Sequence, residues 1–142
     1  MRTAAIAKFC VCLMLVVTAA ATLGAQAPPA NETATQFYTR YLAAFQKATK
    51  MEQVLPMMSA AKIAEFNAAP AEMRNGALEM IKMMTASNIK VTKETPNAKG
   101  AVLTVTGVDP MEKKPQYGMV TLLKEGGAWK LSEESWTNVA PK

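Results

Sequence analysis

Residues 118–131 read GMVTLLKEGGAWKL, and this stretch decides the fold. Two runs of alternating apolar residues flank Gly126-Gly127, the mark of a tight β-hairpin. A two-residue loop pairs Glu125 with Ala128. Counting outward, Lys124 faces Trp129, Leu123 faces Lys130, Leu122 faces Leu131 and Thr121 faces Ser132. Val120 then faces Glu133, Met119 faces Glu134 and Tyr117 faces Trp136. Directly opposed residues share a face of the sheet. Val120, Leu122, Trp129 and Leu131 therefore form one apolar side, with Glu133 at its far end. The other side is mixed. Thr121, Lys130, Ser132 and Glu134 are polar, whereas Tyr117, Met119, Leu123 and Trp136 are not. A bulge in the loop would move this assignment by one residue.

The two-residue period continues toward the N-terminus. Residues 101–108 (AVLTVTGV) read as a strand, and Ile89 and Val91 alternate with Lys90 and Thr92 in another. Pro96-Asn97 and Gly100 mark the turn between them, and residues 109–115 (DPMEKKP) form a polar loop. Before Ser87 the apolar period lengthens to about 3.6 residues, the helical value. Asn31 is expected to cap a first helix, with Glu32 in its first turn. Phe37, Tyr41, Ala44 and Ala48 form its apolar stripe, and Tyr38, Leu42 and Phe45 lie beside it. Thr49 and Glu52 form a capping box for a short second helix that Pro56 ends. Residues 57–66 (MMSAAKIAEF) read as a third helix. Pro70 opens a fourth that runs to Thr85, with a core stripe of Met73, Ala77, Met80, Ile81 and Met84. Helices first and an antiparallel meander afterwards define an α+β domain, with helices segregated to one face of a four-stranded sheet.

The helix FYTRYLAAF at 37–45, the strand AVLTVT at 101–106 and the hairpin at 118–131 together resemble the nuclear transport factor 2-like, or cystatin-like cone, superfamily. The resemblance is closest to its small bacterial secreted domains of unknown function, and it covers roughly residues 33–136. It implies a sheet curved into a cone around the first helix, with the hairpin Trp facing inward. Ketosteroid isomerase-like enzymes of that superfamily use an Asp or Glu with Tyr inside the cone, and no complete set of that kind matches here. The shared motifs are structural, so they imply a fold and leave the function open.

The N-terminus reads as a targeting segment. Arg2 and Lys8 precede an uncharged run that lasts until Glu32, beginning FCVCLMLVVTAAATLGA at residues 9–25. A basic start, an apolar stretch and small residues before a cut describe a secretory signal peptide. Cleavage is expected after Ala25, since a cut after Ala27 would place Pro28 beside the scissile bond. Residues 26–32 then form a linker, and residues 33–142 a single domain. The alternative is an uncleaved anchor, because the run has the roughly 17–25 residues that a spanning helix needs. Cys10 and Cys12 lack the small-residue pattern of a lipoprotein site. Both leave with the leader, so disulfides are not expected in the exported protein. Without Arg2 and Lys8 the charge balance falls to 14 basic against 11 acidic side chains. Basic patches with interleaved aromatics are missing, which speaks against nucleic acid as a partner.

The chain contains no histidine and a single aspartate, Asp109. Imidazole catalysis, Ser-His and Cys-His pairs and most zinc sites are thereby excluded. Seven methionines lie between Met51 and Met84. Thioethers bind Cu(I), but no His or Cys assists, and helical spacing assigns them to a core or a soft pocket wall. Ser59-Ala-Ala-Lys62 matches the S-x-x-K pattern of penicillin-recognising enzymes, yet its partner motifs are missing. Asn31-Glu32-Thr33 is a glycosylation sequon, of consequence only in a host that glycosylates. No metal and no cofactor are expected.

These observations give an exported, non-catalytic domain that binds a small apolar or amphipathic ligand or a protein partner. If the sheet curves around the first helix, a pocket remains, lined by Tyr41, Met84, Trp129 and Leu131, with Glu133 at its mouth. Trp129 is expected to be buried near Phe37, Tyr41 and Met80. A buried Glu133 could transfer protons together with Tyr41, whereas a solvated one could not. Tyr117, Met119, Leu123 and Trp136 form an outer contact surface for a homodimer or an exported partner, unless the linker or tail folds over them. An assembly subunit acting through that face is the remaining alternative. Protein recovered from its host should begin near Gln26 and lie outside the cytoplasm. N-terminal sequencing checks this, and a chain starting at Met1 in the membrane fraction would support the anchor.

Overall fold

The computed structural model describes residues 29–140, so the leader assigned to residues 1–25 lies outside the described part. Three α-helices precede a four-stranded antiparallel sheet, an α+β arrangement. Helix α1 is Ala34–Lys47, α2 is Ala60–Ala68 and α3 is Ala71–Met84. Two short 3-10 turns, Met51–Gln53 and Leu55–Met57, link α1 to α2. Strands β1 (Ser87–Asn97), β2 (Gly100–Val108), β3 (Pro115–Glu125) and β4 (Ala128–Thr137) follow one another in space as in sequence.

The helix starts differ from the expected ones for reasons of side-chain reach. Thr33, not Asn31, caps α1. Its hydroxyl accepts from the Gln36 amide at 3.1 Å, and Gln36 Oε1 accepts from the Thr33 amide at 2.9 Å. This reciprocal pair satisfies two backbone donors that the first turn leaves open. Glu32 stays outside the helix and forms a forked pair with Arg40, at 2.7 and 2.9 Å. At the second start Gln53, not Glu52, reaches back to the amides of Thr49 and Lys50, at 2.7 and 3.2 Å. The result is a 3-10 turn rather than an α-helix, and Pro56 lies inside the next such turn instead of ending a helix. The third segment becomes helical only at Ala60, after a Ser59 cap, because Met58 is drawn into a parallel bridge with Leu131. The Ser59 amide donates to the Leu131 carbonyl at 2.8 Å.

Helix α1 buries Phe37, Tyr38, Tyr41 and Phe45 against Leu103, Val105, Val120, Leu122 and Leu131 of the sheet. Helix α3 does not behave as its stripe predicted. Met73, Met80, Ile81 and Met84 are exposed at 64%, 52%, 41% and 70%, and Leu78 alone is buried. The helix packs onto the first 3-10 turn, and Lys82 Nζ donates to the carbonyl of Ala48, at the end of α1, at 2.6 Å. Its apolar period is present, but the sheet does not lie beneath it.

The hairpin pairs as counted from Glu125–Ala128 to Leu122–Leu131 and then slips by one residue. Thr121 opposes Glu133, Val120 opposes Glu134, Gly118 opposes Trp136 and Tyr117 opposes Thr137. Ser132 is the extra residue of a β-bulge. Beyond it every side chain of β4 changes face. Glu133 is therefore turned outward, and Glu134 and Trp136 are turned inward. Two glycines make room for the indole. A Cβ on Gly118 would lie 2.9 Å from Trp136 Cε3 and 2.8 Å from Val105 Cγ2. One on Gly107 would lie 3.3 Å from Trp136 Cη2 and 2.9 Å from Ala86 Cβ. Gly118→Val should overfill this notch and destabilise the domain by about 1–3 kcal/mol, read as a lower midpoint in urea with an altered tryptophan emission. A wild-type midpoint in this variant would mean that the indole does not need the notch.

Candidate functional site

The turned end of β4 forms one wall of a cleft of about 720 Å³. The C-terminal half of α1, the α2–α3 pair and the β2–β3 loop close its other sides. Its lining is mainly apolar, with Tyr41, Phe45, Phe66, Met84, Leu131 and Trp136 prominent. Lys62, Glu65, Asp109, Gln116 and Glu134 supply most of the polar contacts.

Glu134 is the fixed polar group of this wall. Its Oε1 accepts from Trp136 Nε1 at 2.8 Å and from the Tyr38 hydroxyl at 3.2 Å. Both donors are neutral. Its Oε2 has no protein partner among the described residues, and it is not a sealed atom. Tyr38 is held far above the ordinary tyrosine value, first by burial and then by the charge of Glu134 and the hydrogen bond to it. Tyr41 is raised by burial and by the same charge. Desolvation and a nearby anion both disfavour a phenolate, so the two hydroxyls remain donors. Tyr41 stacks between Tyr38 and Phe45, with ring centroids 6.2 and 5.9 Å apart.

Asp109 is committed to its own loop. Oδ1 accepts the amides of Met111 and Glu112, both at 2.7 Å, and Oδ2 accepts from Gln116 Nε2 at 2.7 Å. The amides of Glu112 and Met111 hold its carboxyl below the usual range. Among the described residues no group of three or more His, Cys, Asp or Glu side chains could hold a metal ion.

Of the five pocket residues read from the sequence, the structure brings together Tyr41, Met84 and Leu131. Trp129 is elsewhere. It is half-buried at the hairpin end, where its Nε1 donates to the Glu32 carbonyl at 2.7 Å and Lys124 Nζ lies 4.7 Å from its ring. Met80, its expected neighbour, is exposed. Glu133 is exposed on the outer face, a consequence of the bulge, and Glu134 takes the inward place. On that outer face Tyr117, Met119 and Leu123 alternate with the buried Gly118, Val120 and Leu122. Met119 is 56% exposed. Trp136 does not join them, so the expected aromatic pair is not formed. The missed carboxylate had a signal: Leu131 and Trp136 are five residues apart, and an odd spacing cannot put both on one face without an extra residue.

No family model, no curated protein and no solved structure matches the chain. No helix among the described residues is long and apolar enough to cross a membrane.

The raised tyrosines have a consequence for stability at high pH. The unfolded chain ionises its tyrosines near pH 10, while the folded one keeps Tyr38 and Tyr41 neutral. Their contribution is complete below that pH and is lost as pH rises through the folded values. Urea midpoints should therefore fall above about pH 10, and a Tyr38→Phe/Tyr41→Phe double variant should fall less steeply. Equal alkaline slopes for the two proteins would contradict this account.

Proposed function

We propose that this protein is an exported, non-catalytic binding domain of the nuclear transport factor 2-like kind, which takes a small amphipathic molecule into the cleft beside Glu134. One observation carries the reading. The cleft is mainly apolar but presents an acceptor, Glu134 Oε2, that the protein does not use. Small-molecule sites are typically clefts of about 300–1,000 Å³, mostly apolar with a few placed polar groups, and 720 Å³ lies within that range. The methionines suit this role. Met51, Met58 and Met84 line the cleft, and unbranched thioether side chains adapt to the shape of what they contact. Export is supported by the leader-like sequence, and the kinship by the hairpin and helix motifs. Binding of a ligand depends on neither.

Decanol and decyl maltoside, below the concentration at which the latter forms micelles, should bind saturably at one site and change the emission of Trp136. Leu42→Trp, at a half-buried lining position, should fill the cleft and weaken that binding by about tenfold or more. Isothermal titration and fluorescence measure both. The absence of saturable binding to the wild-type protein would overturn the reading.

A further inference from the structure

We propose that the ligand of this cleft is a cationic amphiphile, an alkyl chain bearing an ammonium head, with the head seated against Glu134 and the chain along Phe45, Phe66 and Leu131. The inference rests on the binding function proposed above and adds the chemical class of the ligand.

A carboxylate in an apolar wall is costly unless hydrogen bonds or an opposite charge compensate it. Glu134 has the first and lacks the second. Two neutral donors converge on Oε1. The ion pairs among the described residues are Arg40–Glu32, Lys82–Glu79 and Lys114–Glu112, and none includes Glu134. The negative charge is thus fixed in orientation and left without a cation. A ligand ammonium beside Oε2 would supply the missing partner, as a charge-assisted hydrogen bond or, for a quaternary head, by direct attraction.

The surroundings fit the same head group. Trp136 and Tyr41 both line the cleft near this carboxylate. The indole is held in place by its bond to Oε1 and by the glycine notch. Aromatic faces attract cations, tryptophan most strongly, and quaternary ammonium groups are commonly recognised this way. The charged lining is also acidic on balance, with Glu134, Asp109 and Glu65 against Lys62. An anionic head would have to use Lys62. That side chain projects from the first turns of α2 on a flexible stem, with no ion-pair partner to fix it among the described residues, and an anion bound there would share the cleft with Glu134.

The test compares three probes of one chain length, each below micelle formation: decyltrimethylammonium, decyl maltoside and decanoate. Titration calorimetry of the wild-type protein should rank the ammonium at least about tenfold tighter than the maltoside, with decanoate weakest. Raising the salt concentration should weaken the ammonium and leave the maltoside unchanged. Glu134→Gln keeps the shape of the side chain and should remove the preference, so that in this variant the ammonium binds no tighter than the maltoside does. If the maltoside binds and the ammonium binds no better, or if salt leaves the ammonium affinity unchanged, the cationic class is wrong and the binding cleft stands. If no probe binds, both fail. The salt series needs no variant, so it decides the question even where Glu134→Gln does not fold.

Discussion

A single extra residue in β4 governs this molecule. Side chains alternate along a strand with a period of two, so one unpaired residue exchanges the faces of all that follow. Up to Leu131 the strand contributes to the core under α1; after Ser132 it presents Glu134 and Trp136 to the same side. Without the bulge, Glu133 would point inward at this level, and the indole would lie in water. With it, the indole occupies the notch left by Gly107 and Gly118, and its N–H holds the carboxylate. The wall of the cleft is therefore a product of register, not of a local motif.

Why the cleft opens at this end follows from how the helices are fastened. The sheet supplies carboxylates to two helix N-termini. Glu94 of β1 accepts from the amide and hydroxyl of Thr35, at 3.0 and 2.6 Å, and Glu125 of β3 accepts from the Ala60 amide at 3.0 and 3.3 Å. Negative charge at a helix N-terminus is favourable, because the first turn leaves its amides unpaired. Trp129 adds a bond from the hairpin to Glu32, just before α1. Trp129 and Glu125 thus bring the starts of α1 and α2 to the β3–β4 hairpin, and Glu94 fastens the start of α1 to the opposite edge strand. The C-terminal part of α1 and the whole of α3 have no comparable carboxylate tie to the sheet, and the cleft lies between them and the β2–β3 loop.

The fold class was legible because the apolar period changes once, from 3.6 to 2, near Ser87, and because Gly126-Gly127 fixes the upper hairpin pairs. Other features depend on competition that periodicity does not weigh. Asn31 and Thr33 are both good caps, and the glutamine three residues after Thr33 decided between them through the reciprocal bond. Gln53 prevailed over Glu52 in the same manner at the next turn. The α3 stripe shows the limit of a helical period. It identifies the apolar side of a helix but does not say that another layer covers it. The candidate site was partly legible. Tyr41 and Leu131 follow from helix and strand parity together with the expectation of a sheet curved around α1, and Met84 lines the cleft although its stripe is not covered by the sheet. Glu134 requires the bulge, and the cue for that was the odd spacing of Leu131 and Trp136.

The resulting cleft divides its work between stiff and soft parts. Glu134 is immobilised by Tyr38 and Trp136, and those two are themselves packed, one beneath α1 and the other in the notch. A group held from several sides cannot move to suit a ligand, so in the proposed role it would set which head group fits. The opposite side is made by α2 and α3, where α2 buries no residue and α3 buries only Leu78. Phe66, Ile81 and Met84 stand there on helices with little anchoring, and segments with few buried contacts open at low free-energy cost. Such a wall can follow apolar chains of different length or shape. In the proposed binding role, selectivity for charge and tolerance toward the apolar part would arise from the same asymmetry: the sheet side is fixed by register, and the helical side is not.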